Sequence, residues 1–427
     1  MALYRIFNKS YLCVLIILLT LASNYSQQRE RPNLIFNSSI SFEINFLPND
    51  SSISCFLSYK IPLSDLVFIK KNSEFTAGLT LNFDIKENGK IVDRKVNSKV
   101  VLVDSYERTK STAEFVEGLV KLHQIKNEVT IQPFLSIANG SQGIQIDSLN
   151  IKPALPIEKF GKPIVLLKQI KSCSSKNEFS LVNNKYSIPF STENYSMIIP
   201  VYDQTIKVID VRIIQDGKNV FTKKISNCIS KNYEFTECDN SIVLSEIEGA
   251  KNHNYFLISD FSKILDEGKA QFVITYNDGG KYEFALPVVW QNKPRSLISP
   301  ESAIQLLTII DNEDKINSLL NADKEEYSKV LNNYWNDKKS NGYIAFNDLK
   351  SEFYKRADYA QDNFSTIENQ RGAFSDRGKT YIKFGKPDDT IRQYNTSNIV
   401  KEIWIYKKLK REFSFIDKSG LGNYTFE

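Results

Sequence analysis

The chain has few histidines and cysteines, and this scarcity narrows its possible chemistry. Among 427 residues, two are histidines, His123 and His253, and five are cysteines. Neither histidine has another histidine or a cysteine within a few residues, so histidine-based acid–base catalysis and histidine-rich metal sites are not expected. The motifs GxxxxGK[ST], HExxH, CxxC and GxSxG are also absent. The sequence therefore lacks the usual signatures of a phosphate-binding loop, a zinc site and a nucleophile elbow, and we expect no cofactor.

Charge of one sign is not concentrated anywhere in the chain. Lysine and arginine number 55 against 50 aspartates and glutamates, which gives a formal net charge of +5, and the two signs are interspersed. No run of like charge reaches the length of a nucleic-acid-binding arm, so nucleic acid is not an expected partner. The hydrophobic content of 41% is that of a folded chain, and the length favours three domains.

The amino terminus has the pattern of a secretory signal peptide. Arg5 and Lys9 precede an apolar run over residues 12–21, which is followed by small and polar residues. Ten apolar-leaning residues are too few to span about 30 Å of hydrocarbon as a helix. We therefore predict a signal peptide over residues 1–26 and export to the periplasm, the outer-membrane surface or the extracellular space, with an uncleaved anchor as the alternative. Cys13 lies inside the apolar run, which disfavours lipid anchoring.

The other cysteines are Cys55, Cys173, Cys228 and Cys238. In an oxidising compartment, Cys228 and Cys238 are close enough in sequence to close a hairpin-sized loop, so this pair is the candidate disulfide. Four free thiols are the alternative, because four cysteines are too few to form a framework in so long a chain.

Most of the chain has the period-two alternation of β-strands. Short alternating runs separated by turn residues predict one antiparallel β-sandwich of immunoglobulin-like type over residues 27–155 and a second over 160–292. The proline-marked segment 151–163 predicts a linker between them, because each proline removes a backbone donor from a sheet.

The periodicity then changes to that of helices. Ser299, Pro300 and Glu301 have the pattern of a helix start, and apolar stripes predict a helical segment over residues 298–365. The stripes consist of Tyr327, Val330, Leu331, Tyr334 and Trp335, then Leu349, Phe353, Ala357, Ala360 and Phe364. Residues 366–427 are predicted to form a small antiparallel sheet that begins with the strand TYIKF (380–384), so the carboxyl-terminal part is α+β.

The last 75 residues or so resemble the GWxTD domain family, secreted proteins of Bacteroidetes and related bacteria whose biochemical role is not established. The resemblance includes Asp376-Arg377-Gly378-Lys379, Phe384-Gly385, Pro387-Asp388 and Glu402-Ile403-Trp404, followed by Phe413, Phe415, Asp417 and Tyr424. In the signature pentapeptide, Gly372 and Asp376 are kept, while Ala373 stands where the family has tryptophan and Ser375 where it has threonine. Residues 60–92 resemble the family's N-terminal β domain more loosely.

The segment 372–389 has a structural and a functional interpretation. Asp376, Arg377 and Gly378 suit a turn, in which arginine pairs with a carboxylate such as Asp388. Alternatively, Asp376, Arg377, Lys379, Asp388 and Trp404 form a binding site for an anionic peptide terminus, a phosphate or a sugar. Asp376 and Asp388 could also act as the paired acids of a hydrolase. Calcium at Asp388, Asp389 and Asp417 is less common than a solvated turn.

These observations predict a secreted, non-enzymatic protein of the cell envelope that acts as a protein-interaction or structural module. Its expected partners are other envelope or secreted proteins, and no transmembrane span is expected after signal cleavage. The alternative is an envelope hydrolase or carbohydrate-binding protein that uses the carboxyl-terminal carboxylate and arginine cluster.

Overall fold

The computed structural model describes residues 40–49, 52–122, 125, 127–138, 143–152, 158–169, 178–249, 251–277, 279–339, 344–394 and 399–427. The predicted signal peptide, Cys13, His123 and Cys173 lie outside these ranges. Among the described residues, no helix has the length and apolarity needed to cross a bilayer. The chain is mostly β, with a helical segment followed by a small antiparallel sheet, as the sequence predicts.

The first part consists of two sheets over one core. One sheet has the order β1-β2-β6, with β1 (Ser41–Asn49), β2 (Ser52–Pro62) and β6 (Phe115–Leu122). The second sheet contains β3 (Ile69–Lys71), β4 (Glu74–Glu87), β5 (Lys90–Val103), β7 (Val129–Ile137), β8 (Ile144–Gln145) and β9 (Leu149–Ile151). A short helix, α1 (Tyr106–Thr109), follows β5. In β4 every second residue from Ala77 to Ile85 is buried, as expected for a strand with one face on a core.

The next part also pairs two sheets. The larger has the order β16-β19-β13-β10-β11-β18-β17. Its strands are β10 (Ile164–Gln169), β11 (Glu178–Leu181), β13 (Tyr195–Val201), β16 (Ile229–Lys231), β17 (Tyr233–Cys238), β18 (Ser241–Glu246) and β19 (His253–Ile258). The smaller has the order β12-β21-β20-β14-β15 and contains β12 (Ile188–Pro189), β14 (Ile209–Gln215), β15 (Lys218–Ile225), β20 (Gly268–Tyr276) and β21 (Gly280–Val289). A shared buried cluster that includes Met197, Ile213, Phe256 and Phe272 joins the two sheets.

One pairing differs from the predicted antiparallel pattern. β12 runs parallel to β21, with Ile188 opposite Val288. A tight hairpin forces its two strands to be antiparallel, whereas β12 and β21 are far apart in sequence, so their relative direction is not constrained in this way.

The predicted disulfide between Cys228 and Cys238 is wrong. Cys228 is a free thiol, and Cys238 is disulfide-bonded. Cys228 directly precedes β16 and Cys238 ends β17, and these strands form opposite edges of the seven-stranded sheet. The segment between the two cysteines therefore does not form the hairpin on which the prediction depended.

The carboxyl-terminal part packs helices on one sheet. The helices are α2 (Pro300–Leu306), α3 (Glu313–Leu320), α4 (Tyr327–Asn336), α5 (Asp348–Phe364) and α6 (Asp376–Phe384). The sheet has the order β22-β23-β24-β25, with β22 (Asp389–Tyr394), β23 (Val400–Tyr406), β24 (Arg411–Asp417) and β25 (Thr425–Phe426). Ser299 caps α2 as predicted, because its side chain accepts a hydrogen bond from the backbone N–H of Ser302. Leu349 is half exposed and does not belong to the buried stripe of α5.

The predicted strand TYIKF (380–384) is wrong, because these residues form most of helix α6. Ser375 caps the helix and Asp376 lies in its first turn, where a negative charge interacts favourably with the helix dipole. Gly385 ends the helix with a φ of +80°, a conformation that glycine adopts without strain. Both ends of the helix are therefore signalled in the sequence, by Ser375 and by Gly385. The alternation in TYIKF covers only five residues and is weaker evidence than these two signals.

Candidate functional site

Residues 372–378, which we call the signature segment, form a tight helix start. Gly372–Phe374 form a turn of 3₁₀ helix. Ser375 Oγ accepts from the backbone N–H of Gly378 (3.0 Å) and donates to the carbonyl oxygen of Gly372 (2.7 Å). A Cβ atom on Gly378 would lie 2.0 Å from that same carbonyl oxygen. Position 378 therefore accepts no side chain, and Ser375 supplies the helix cap.

The position at which the family has tryptophan faces the protein core. Ala373 is 3% exposed and belongs to the buried cluster of the carboxyl-terminal part. Phe374 is half-buried, and the guanidinium of Arg371 lies 4.0 Å from the centroid of its ring. A side chain at position 373 thus contributes to packing, and in this chain the position offers no exposed aromatic platform.

Asp376 and Asp388 each accept a hydrogen bond from a backbone N–H. Asp376 Oδ2 accepts from Phe426 (2.9 Å), which attaches β25 to the start of α6. Asp388 Oδ2 accepts from Lys407 (2.7 Å), which attaches the turn after α6 to the end of β23. These bonds join chain segments, which supports the structural interpretation of both aspartates.

Arg377 pairs with a carboxylate, as the structural interpretation expects, but the carboxylate belongs to Glu402 and not to Asp388. Its Nη1 lies 3.5 Å from Glu402 Oε1, and its Nη2 donates to the carbonyl oxygen of Gly422 (3.3 Å). Its guanidinium stacks 3.9 Å from the ring centroid of Tyr424. Burial lowers the pKa of Arg377, and the nearby carboxylate of Glu402 partly offsets that effect. Arg377 is therefore held by internal contacts on several sides.

Glu402 is the residue that sequence reasoning missed as part of this site. It is 2% exposed and accepts from Arg392 Nε (2.7 Å) and Trp404 Nε1 (2.7 Å) in addition to its ion pair with Arg377. One buried carboxylate thus links two arginines and a tryptophan. Its spacing from Trp404 is a signal in the sequence, since residues two apart in a strand share a face and a buried carboxylate needs partners.

An open groove of about 710 Å³ lies beside this network, and we call it the C-terminal groove. It contains three of the five predicted site residues, Arg377, Asp388 and Trp404, but neither Asp376 nor Lys379. Lys379 is exposed on α6. The other lining residues are Tyr359, Asn363, Phe364, Tyr381, Lys386, Pro387, Asp389, Thr390, Arg392 and Glu402. Because Asp376 lies outside the groove, the two proposed hydrolase acids do not share it.

Asp417 is one of the three residues that the sequence offers as calcium ligands, together with Asp388 and Asp389. Its carboxylate accepts from the backbone N–H groups of Ser419 (3.1 Å), Gly420 (2.9 Å) and Gly422 (2.6 Å). Burial by itself raises the pKa of this carboxyl, but these hydrogen bonds outweigh burial and lower the pKa below its usual value. In the ranges that the structure describes, no three His, Cys, Asp or Glu side chains converge as a metal site.

Comparison with known proteins identifies a match to one protein family. The model of the GWxTD domain matches residues 270–425, which include the last strands of the second pair of sheets, the helical segment and the final sheet. No curated protein matches the chain. Among solved structures, the native conformation of Escherichia coli alpha-2-macroglobulin matches at 11% identity and a TM-score of 0.14. That match covers 60% of this chain, and the chain spans 16% of the alpha-2-macroglobulin.

Proposed function

The chain belongs to the GWxTD domain family through residues 270–425, and we propose that it is a secreted, non-enzymatic protein of the cell envelope. In this proposal, the C-terminal groove and the adjoining strand β22 bind an extended segment of another protein. The observation that carries the proposal is the exposed edge strand beside a groove in which Arg377, Asp388 and Glu402 are already held by internal contacts.

β22 offers the geometry for strand addition. It is the terminal strand of its sheet, and all six of its residues are exposed. Ile391 is 45% exposed and Tyr394 is 73% exposed. An edge strand presents backbone N–H and C=O groups that an added strand can pair with, while neighbouring pockets accept every second side chain of the added segment.

The C-terminal groove supplies such a neighbouring surface. Thr390 and Arg392 of β22 line it, and its lining also includes Tyr359 and Tyr381, whose rings stack with centroids 4.4 Å apart. Tyr359 is 45% exposed, so it can contact a bound segment. Aromatic residues with a polar edge are frequent anchors in protein interfaces.

The hydrolase alternative has less support. Asp376 and Asp388 are both hydrogen-bonded to backbone N–H groups, and only Asp388 lines the C-terminal groove. A glycosidase mechanism requires two carboxyl groups that face the same scissile bond.

Panning the full chain against a random dodecapeptide display library tests the proposal. We expect selected peptides to bind, Tyr359→Ala to weaken their binding at least about tenfold, and bound peptide to slow amide hydrogen exchange in Asp389–Tyr394. Leu409→Ala is the matched control, since Leu409 is 50% exposed at the turn between β23 and β24. Equal affinity of the Tyr359→Ala variant, unchanged exchange in β22, or cleavage of the peptide would each contradict the proposal.

A further inference from the structure

A second groove lies far from the C-terminal groove in sequence, around the segment that connects the two pairs of sheets. It has a volume of about 700 Å³, and we call it the junction groove. It is lined by Phe46, Lys152, Glu158, Lys159, Phe160, Gly161, Lys162, Tyr202, Tyr276, Lys281 and Tyr282. This volume lies within the range of about 300–1,000 Å³ that is typical of ligand pockets.

Aromatic rings in fixed positions form part of the junction groove. Phe160 stacks on Tyr282 with ring centroids 5.0 Å apart and planes 12° apart, and Tyr276 meets Phe160 edge-on at 5.1 Å. Backbone hydrogen bonds fix the segment that carries Phe160, since Gly161 N–H donates to the carbonyl oxygen of Pro200 (2.8 Å). The Tyr282 hydroxyl donates to the carbonyl oxygen of Gly161 (3.3 Å). The rings are therefore held in place before any ligand binds.

Gly161 also allows a close approach within the junction groove. A Cβ atom there would lie 2.8 Å from the Tyr202 hydroxyl oxygen and 2.9 Å from Pro200 Cβ. The Tyr202 hydroxyl oxygen is buried and has no hydrogen-bond partner among the described residues. Buried polar atoms are usually hydrogen-bonded, and this hydroxyl is an exception because none of the described residues forms a hydrogen bond with it.

Positive charge dominates the lining of the junction groove. Four lysines and one glutamate belong to it. Lys159 pairs with Asp203 at 3.7 Å and lies over the ring of Tyr276, while Lys162 lies over the ring of Tyr186. Within the described ranges, no ion pair joins Lys152 or Lys281 to a carboxylate. The groove thus has an excess of ammonium groups, and two of them are available to a ligand.

We propose that the junction groove binds a short acidic oligosaccharide. Tyr202, Tyr276 and Tyr282 are half-buried, so part of each side chain is exposed at the groove, and exposed ring surface can pack on the apolar faces of sugar rings. Lysine ammonium groups match single carboxylates spaced along such a chain, whereas arginine, the usual partner for bidentate contacts to phosphate, is absent from the lining. This proposal is independent of peptide binding at the C-terminal groove.

Titration of the full chain with trigalacturonic acid tests the proposal by calorimetry. The matched probe is the same trisaccharide with its carboxyl groups methyl-esterified. We expect the acid to bind with a Kd below about 100 μM, the ester to bind at least tenfold more weakly, and the affinity for the acid to fall when salt is raised from about 0.05 to 0.5 M.

Paired variants locate the site. Lys152→Ser with Lys281→Ser should weaken binding of the acid at least about tenfold. Lys218→Ser with Lys224→Ser removes the same charge from exposed positions on β15 and should leave the affinity unchanged. Absence of binding, equal losses in the two double variants, or tighter binding of a single-stranded oligonucleotide of the same charge would overturn the proposal.

Discussion

Replacing Glu402 with glutamine should strongly destabilise the carboxyl-terminal part of the protein. Glutamine keeps the shape of the side chain and can accept a hydrogen bond from Trp404, but it leaves Arg377 without its counter-charge. The Arg377 side chain is 10% exposed, so water replaces the lost partner poorly. Removing one member of a buried ion pair typically costs about 3–5 kcal/mol.

The expected cost for Glu402→Gln is somewhat smaller, about 2–4 kcal/mol, because glutamine retains an acceptor and Arg377 keeps its bond to Gly422. The Arg392 side chain is 56% exposed, so its ion pair with Glu402 should contribute less than about 1 kcal/mol. Arg392→Gln therefore serves as the matched control, since it removes an arginine that contacts the same carboxylate.

Guanidinium chloride unfolding followed by tryptophan fluorescence is the appropriate assay. The chain has three tryptophans, and Trp290, Trp335 and Trp404 all belong to the buried cluster of the carboxyl-terminal part. At an m-value of about 4 kcal/mol/M, the expected loss moves the midpoint down by about 0.5–1 M. A loss below about 0.5 kcal/mol for Glu402→Gln, or an equal loss for Arg392→Gln, would refute the description of Glu402 as a buried charge centre.

Three further predictions concern the helix start, acid sensitivity and the cysteines. Ser375→Ala should lower the free energy of unfolding by about 1 kcal/mol, whereas Ser375→Thr should change it by less than about 0.5 kcal/mol in the same assay. The lowered pKa of Asp417 means that its carboxylate stabilises the fold above the unfolded pKa of about 3.9 and that this contribution is lost as the pH falls through the lower folded value. Asp417→Asn should therefore cost more stability at pH 7 than at pH 3 in parallel urea titrations, and an equal cost at both would contradict this assignment. Thermal unfolding should show that Cys238→Ser lowers Tm more than Cys228→Ser does, because only Cys238 is disulfide-bonded; equal shifts would contradict it.

The fold class could be predicted because apolar residues recur at every second position over long stretches of the chain. In β4, the alternation of buried and less buried residues extends over many positions, so the strand period is unambiguous. Helix α6 has only nine residues. The alternation of polar and apolar residues in TYIKF (380–384) is so short that it fits either a strand or one side of a short helix. There, Ser375 before the segment and Gly385 after it were the decisive signals, because they specify the ends of a helix.

The candidate site was predicted only in part, because its partners come from distant segments. Arg377, Asp388 and Trp404 lie around one groove, as expected, but Arg377 binds Glu402 and Asp388 binds a backbone N–H. Which carboxylate an arginine contacts depends on the packing of α6 against β23, and sequence spacing does not specify that packing. The disulfide prediction failed for a similar reason, since the order of strands in the sheet separates Cys228 from the strand that ends at Cys238.

The polar residues and glycines of the signature segment are explained by the contacts that they make within the protein. Gly378 allows the contact with the carbonyl of Gly372, and Ser375 caps α6. Asp376 accepts a hydrogen bond from the backbone N–H of Phe426 in β25. A substitution at any of these positions would therefore be expected to destabilise the carboxyl-terminal part directly, whether or not a ligand is bound. The exposed surface available for binding is instead at β22, where all six residues are exposed beside the C-terminal groove. Loss of binding in variants of the signature segment would therefore be expected to accompany loss of stability, whereas Tyr359→Ala should separate the two effects.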